Sequence, residues 1–300
     1  MRIGIDLGGT KIEAIPIDND GVVRQRLRIP TPKEGYAAIV EALALLVTTI
    51  ESEAGERGTV GVGIPGAVSP ATGLVKNANT TELIGHPLDK DLGQVLNREV
   101  RVANDANCFA LSEATDGAAA HASVVFGVIV GTGTGGGIVV DGKVLTGPHA
   151  IAGEWGHNPL PWPRDGERPG RSCFCGRSGC IESFLAGPSL ARDHREQTHQ
   201  DLPAAEIAAR AEAGDPGAAA TMGRYEDRMA RALAAVINLL DPHVVVLGGG
   251  VSNIARLYRE VPLLLPKYVF SDKVTTPIVK AKFGDSSGVR GAAWLWPPHR

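Results

Sequence analysis

Asp105 follows Val100–Ala103, which reads as a short strand, and with Asn104 it opens a helix expected from Ala106 to about Ala120. The junction of a strand end and a helix start is where open α/β sheets bind ligands. A carboxylate there is suited to accept a proton from a substrate hydroxyl. A helix cap without chemistry is the competing reading. Cys173, Cys175 and Cys180 crowd into eight residues, sixteen residues and more after His157. Three cysteines and a histidine are the donor set of a closed, structural zinc shell, although C-x-C-x4-C is not the common C-x2-C spacing. Buried thiols are the alternative. Cys108, in the helix after Asp105, reads as a small buried residue. No charged stretch, apolar run and small-residue cleavage site open the chain, so a cytoplasmic location is expected and disulfides are not.

Two glycine-rich turns could meet phosphate oxygens. Asp6-Leu7-Gly8-Gly9-Thr10-Lys11 offers backbone N–H groups beside an aspartate, a hydroxyl and a lysine. It is no Walker A loop, because a strand follows where a helix should. A plain hairpin with two glycines at positive φ is the other reading. Gly131-Thr132-Gly133-Thr134-Gly135-Gly136 contains a formal G-x-G-x-x-G, but Gly137–Val140 reads as strand where a dinucleotide fingerprint needs a helix. A second phosphate-cradling hairpin fits it better, with Thr132 and Thr134 as added donors. Gly248-Gly249-Gly250, after the buried-type strand Val244–Leu247, either lets a ligand approach the backbone or simply turns strand into helix. Glu154 and His157, three apart, share a face if that stretch is helical.

The elements that must position these residues alternate strand and helix, which argues α/β layers. Residues 3–17 read as strand, turn, strand, with a third strand from Val22 to Ile29. Apolar residues at Ile39, Leu43, Leu46, Val47 and Ile50 predict a helix from Tyr36 to about Ala54. Val60–Ile64 is a buried strand ending at Pro65-Gly66. The strand–glycine turn–strand device returns at Val124–Val140, so the architecture is read as duplicated. Ser189–Leu240 is rich in helix, and Ser287–Trp296 closes the chain as another. A length of 300 residues suggests two domains. Glycine, at 38 residues, exceeds the usual share and must serve turns or close backbone approaches. A net charge of −3 with scattered basic residues gives no footprint for nucleic acid or an anionic membrane. Gly117–Val140 lacks charges, but its seven glycines suit strand–turn–strand rather than a membrane span.

Together the two turns resemble the phosphate-binding loops of sugar kinases in the actin/hexokinase superfamily. Gly63-Ile64-Pro65-Gly66, Asn104-Asp105-Ala106-Asn107, Gly153-Glu154-Trp155-Gly156-His157 and the cluster ending Cys180-Ile181-Glu182 narrow the resemblance to the ROK family (repressors, open reading frames, kinases). Lys76–Thr80, Asn158–Trp162 and Gly284–Gly291 look closest to bacterial ROK fructokinases, which often accept mannose. The resemblance implies an actin/hexokinase-like (ribonuclease H-like) duplicated α/β fold of two domains with the active site in the cleft between them. The domains are expected at 1–117, joined by a C-terminal helix at about 285–300, and at 118–284 with a zinc loop at 157–180. It implies ATP-dependent phosphorylation of a hexose, D-fructose first and mannose second, with Mg2+ and a structural Zn2+. A kinase for glucose or an N-acetylated hexosamine is the alternative.

By the same resemblance Asp105 is the catalytic base. Gly66, Asn79, Asn104, Asp105, Glu154, His157 and Glu182 bind the sugar, and His157, Cys173, Cys175 and Cys180 bind zinc. The nucleotide is expected on Gly4, Ile5, Asp6, Leu7, Gly8, Gly9, Thr10 and Lys11, on Thr132, Gly133, Thr134, Gly135, Gly136 and Gly137, and on Gly248 and Gly249. A homodimer without nucleic-acid or membrane partners is expected. A sugar-responsive regulator is disfavoured, because the first strand begins at Ile3 and leaves no room ahead of it for a DNA-binding domain. A zinc hydrolase with Glu154 as base is disfavoured because a Cys3His shell leaves no open position. Gly147-Pro148-His149-Ala150-Ile151 departs from the family's common Gly-x-Asn-x-Ile, so this loop is expected to tune substrate choice.

Overall fold

The computed structural model describes residues 1–297. In the N-terminal half, β1 (Arg2–Leu7) and β2 (Lys11–Ile17) form an antiparallel hairpin extended by β3 (Leu27–Pro30). Helix α1 (Tyr36–Ala54) carries the chain back to β4 (Thr59–Ile64), which lies parallel to β1. After the small hairpin β5 (Ala67–Val68) and β6 (Val75–Lys76) and helix α2 (Leu88–Leu96), β7 (Val100–Asn104) adds in parallel beside β4. The order is β3-β2-β1-β4-β7. Helix α3 (Asp105–Thr115) leaves directly from β7.

The second sheet repeats the plan. It contains β8 (Val124–Val130), β9 (Thr134–Val140), β10 (Lys143–Val144), β11 (Val244–Gly248) and β12 (Ile278–Lys280), in the order β10-β9-β8-β11-β12. Here too an antiparallel hairpin, β9 with β10, occupies one side, and a parallel set, β8 with β11 and β12, the other. Its helices are α4 (Glu182–Leu185), α5 (Gly187–Thr198), α6 (Ala204–Glu212), α7 (Pro216–Leu240) and α8 (Arg256–Leu264). The duplicated actin/hexokinase-like α/β fold read from the two hairpins is what the chain adopts.

The chain divides into two compact units. The first comprises 1–121, 137–152 and the described residues from 285 onward, and the second 122–136 and 153–284. Residues 137–152 thus group with the first unit, where the sequence reading had kept 118–284 together. In the first unit the five apolar positions expected on α1 are all buried against Ile3, Ile5, Val60 and Val62. The C-terminal helix α9 (Ser287–Trp294) lies on β1, β4 and α3 of the same unit. Glycine permits this contact: a Cβ at Gly61 would run into the Ala292 carbonyl, and one at Gly291 into that of Cys108. The expected continuation of this helix over 298–300 lies outside the described residues.

Two element boundaries differ from expectation. The third strand begins at Leu27 rather than Val22, because the intervening Arg24-Gln25-Arg26 stays out of register and only Val23 bridges to Ile17. Helix α3 stops at Thr115, five residues early. In the second unit, α7 carries a buried ion network. Arg231 and Arg228 each hold Glu167 at 2.8 and 2.7 Å, and Arg228 also holds Asp193 at 2.9 Å. Burial alone would raise the Glu167 carboxyl, but the two guanidiniums bring it down to about 2. Among the described residues no helix is long and apolar enough to cross a membrane.

Candidate active site

In the first unit, Asn104 is the cap of α3. Its Oδ1 accepts the N–H of Ala106 at 2.9 Å and of Asn107 at 3.3 Å, and its Nδ2 donates to the Gly66 carbonyl at 3.1 Å. Asp105 is the first residue of the helix proper, half-buried, with Oδ1 accepting the Ala106 N–H at 2.8 Å. The N-cap position therefore belongs to Asn104, and the Asp105 carboxylate, one residue on, shares the Ala106 N–H with it. Gly66 turns at φ 137, and the Asn79 N–H donates to the neighbouring Pro65 carbonyl at 3.2 Å. Of the four expected sugar-binding positions of this unit, Asn104 and Asn79 are thus tied to the Pro65-Gly66 turn, and Asp105 follows Asn104 directly.

The turn between β1 and β2 is held by its carbonyls. Thr31 Oγ1 donates to the Gly8 carbonyl at 2.7 Å, the Thr31 N–H to that of Thr10 at 3.1 Å, and Lys33 Nζ to that of Gly9 at 2.7 Å. Gly8 N–H closes on the Lys11 carbonyl at 3.0 Å. The N–H groups of Gly9 and Thr10 are left without a hydrogen bond among the described residues. Neither Gly8 nor Gly9 has positive φ, so this is not the hairpin that the alternative reading required. Asp6 is the penultimate residue of β1, and burial, with Glu13 adding to it against the opposing pull of Lys11, raises its carboxyl to about 6. Lys76 Nζ donates to the His149 carbonyl at 2.6 Å, tying down the 147–151 loop, where Ala150 stands at φ 51.

In the second unit, the loop from Gly131 to Thr134 differs in its support. Gly131 N–H closes on the Gly133 carbonyl at 2.9 Å, and the Thr134 N–H, expected for phosphate, is donated to Glu182 Oε2 at 2.9 Å. The remaining donors are the N–H groups of Thr132 and Gly133. Beside the loop lies a cavity of about 680 Å³ lined by Gly131, Thr132, Gly250, Arg256 and Arg259 together with the small face of α6. Gly250 lines it and the expected Gly248 and Gly249 do not. Its α6 wall, Ala204, Ala205, Ala208 and Ala209, went unrecognised because alanines at helical spacing read as packing.

Glu154 is exposed and stands at the head of a 3-10 turn, Trp155–His157, rather than in an α-helix. Residues three apart still align on such a turn. His157 Nδ1 lies 3.6 Å from Cys173 Sγ, and Cys175 Sγ lies 3.6 Å from Cys180 Sγ. All four ligand atoms fall within 4.8 Å of one another. With Zn–S of about 2.3 Å, neighbouring ligand atoms of a tetrahedral shell stand a little under 4 Å apart, so the four residues fit one ion. Burial raises the Cys173 and Cys180 thiols, and a cation would reverse that by holding them as thiolates. Cys108 is not one of the four and is buried in the first unit, its thiol pushed up by burial and by the charges of Asp6 and Asp105.

The ROK family model matches residues 2–299. The chain is 41% identical to an N-acetyl-D-glucosamine kinase of Yersinia pseudotuberculosis over 299 aligned residues, covering 98% of each chain. A ROK hexokinase from Thermus thermophilus superposes with a TM-score of 0.85 at 34% identity, over 97% of this chain and 96% of that one. A ROK family glucokinase from Streptomyces griseus, solved with glucose and AMPPNP, gives 0.78 at 27% identity over 98% of each.

Proposed function

The chain belongs to the ROK family, and from that premise we propose that it is an ATP-dependent kinase of a 2-acetamido hexose, with N-acetyl-D-glucosamine as the preferred acceptor. The observation that carries the choice is the full-length likeness to an N-acetyl-D-glucosamine kinase at 41% identity. Fructose, the acceptor expected from the sequence motifs, is named for none of the three relatives above, and we place it behind the acetamido sugar.

In this reading Asp105 accepts the proton of the sugar hydroxyl that attacks the γ-phosphate. Its place at the helix start, oriented by the Ala106 N–H, supports the role. Asn104, Asn79, the Gly66 backbone, Glu154, His157 and Glu182 are the residues proposed for the sugar hydroxyls. Both assignments of His157 are compatible, because Nδ1 faces Cys173 and Nε2 is a separate ring nitrogen. Polyol recognition requires such a mixture of acceptors and donors. The free N–H groups of Gly9 and Thr10, and of Thr132 and Gly133, are the donors for nucleotide phosphates, and the 680 Å³ cavity takes the adenosine.

Asp6, a half-buried carboxyl near the end of the first strand, would hold the Mg2+ of the nucleotide. When bound, that ion neutralises charge on the transferring phosphoryl group. Cys173, Cys175, Cys180 and His157 would hold a zinc ion with no open position, which gives it a structural duty. The test is ADP release with N-acetyl-D-glucosamine as acceptor. Turnover by the wild type that vanishes in Asp105→Asn, with sugar binding kept, supports the reading, and full turnover by a folded Asp105→Asn overturns it.

A further inference from the structure

The Gly131–Thr134 loop is fastened by the segments that carry Glu154, His157 and Glu182. Glu182 Oε2 accepts the Thr134 N–H at 2.9 Å. The indole N–H of Trp155, next to Glu154, donates to the Gly135 carbonyl at 2.9 Å, and the Gly187 N–H, just past α4, donates to that of Gly131 at 2.7 Å. A Cβ at position 133 would stand 2.8 Å from Glu182 Oε2, so glycine there is what admits the carboxylate. The second oxygen, Oε1, lies 3.9 Å from Cys173 Sγ.

We propose that Glu182 is the positioning residue of the nucleotide loop, acting through Thr134. This rests on the kinase reading above. Oε2 fixes the Thr134 N–H and so sets the direction in which the Thr132 and Gly133 N–H groups point, and Oε1 is the oxygen available to the sugar. A carboxylate accepting a backbone N–H makes one of the stronger hydrogen bonds in a protein, and losing it releases the loop. Since one carboxylate serves both ligands, sugar and nucleotide each raise the affinity for the other, by the same factor.

The test is calorimetric titration of the full chain with Mg2+ and a non-hydrolysable ATP analogue, without sugar and then with N-acetyl-D-glucosamine. Glu182→Ala weakens analogue binding about tenfold, the value of one charge-assisted hydrogen bond. Gly133→Ala, which displaces the same carboxylate, weakens it in the same direction. Glu182→Gln, whose amide oxygen still accepts the Thr134 N–H, stays within about threefold of wild type. Sugar tightens analogue binding in the wild type and no longer does so in Glu182→Ala. If Glu182→Ala fails to fold, as judged by its melting transition, Gly133→Ala carries the test. Wild-type affinity in Glu182→Ala and Gly133→Ala, equal losses in Gln and Ala, or tighter binding in Ala from relieved charge repulsion each overturn the positioning role alone. A wild type that binds no analogue in either condition overturns the kinase reading and this one with it.

Discussion

The two glycine-rich loops come from one repeated device, yet they are held by different means. The β1–β2 turn is fastened by Thr31 and Lys33, from the residues just after β3, through bonds to its carbonyls. It is a local structure whose supports take no part in the proposed chemistry. The β8–β9 loop is fastened by Glu182, Trp155 and Gly187, which lie within or beside the segments assigned to the sugar and the metal. Duplication thus supplied two glycine-rich hairpins, and their supports have diverged into one self-contained loop and one coupled to its surroundings. Perturbing the zinc or sugar segments should reach the nucleotide through the second loop only.

The largest effect belongs to neither loop and sets the scale for both. Asp105→Asn keeps shape and some hydrogen bonding but cannot accept a proton, so kcat falls roughly 10²–10⁴-fold. Sugar affinity by titration should change little. Metal removal comes next. Elemental analysis should find one zinc per chain, lost in Cys175→Ser and retained in Cys108→Ser. Stripping it should lower the melting temperature by roughly 5–15 °C and weaken ATP binding through the Glu182 side of the second loop. Metal-free protein that melts and binds ATP as before would erase the contrast drawn above.

Much of this was legible from residue types alone. The metal quartet was visible because three cysteines and a histidine are rare together, and the two hairpins because glycines interrupt strands at matching places. Asn104 and Asp105 were visible as a pair, but only coordinates show which of the two is the cap residue and which is the first residue of the helix. What stayed hidden depends on tertiary placement. Donation of the Thr134 N–H to Glu182 joins residues 48 apart, and α6 hides its cavity-lining face in ordinary alanines. The third strand was misplaced because Val22-Val23 has strand propensity while only the segment from Leu27 finds a register with β2. The choice of acceptor was not readable either, since similar polar residues recognise many hexoses.

Smaller effects sharpen the comparison of the loops. Trp155→Phe keeps the buried ring, which packs edge-on to Phe126, and deletes only the bond to the Gly135 carbonyl. It should raise the KM for ATP about three- to tenfold. Lys33→Ala removes one exposed lysine from the Gly9 carbonyl and should raise it less than about twofold. Steady-state kinetics at saturating sugar measures both, and equal effects would contradict the asymmetry.

A stability effect at Asp6 follows. Its carboxyl is raised by burial to about 6 from an unfolded value near 3.8, so the folded state binds the proton more tightly. The associated stability is complete below the unfolded value and is lost as pH rises through about 6. Asp6→Asn should therefore gain on the wild type at pH 7.5, by up to about 3 kcal/mol, and gain nothing at pH 3.5. Denaturant melts at the two pH values read the difference. A gain independent of pH would mean that the carboxyl ionises normally in the folded chain.

The central claim concerns the acceptor, and the most direct measurement is kcat/KM by coupled ADP release for N-acetyl-D-glucosamine, N-acetylmannosamine, glucose, fructose and mannose under one condition. The account predicts, from the likeness to an N-acetyl-D-glucosamine kinase, N-acetyl-D-glucosamine as the best substrate by at least about tenfold, the discrimination a site reaches when an analogue leaves its buried polar groups unpaired. Fructose as the best substrate would contradict it.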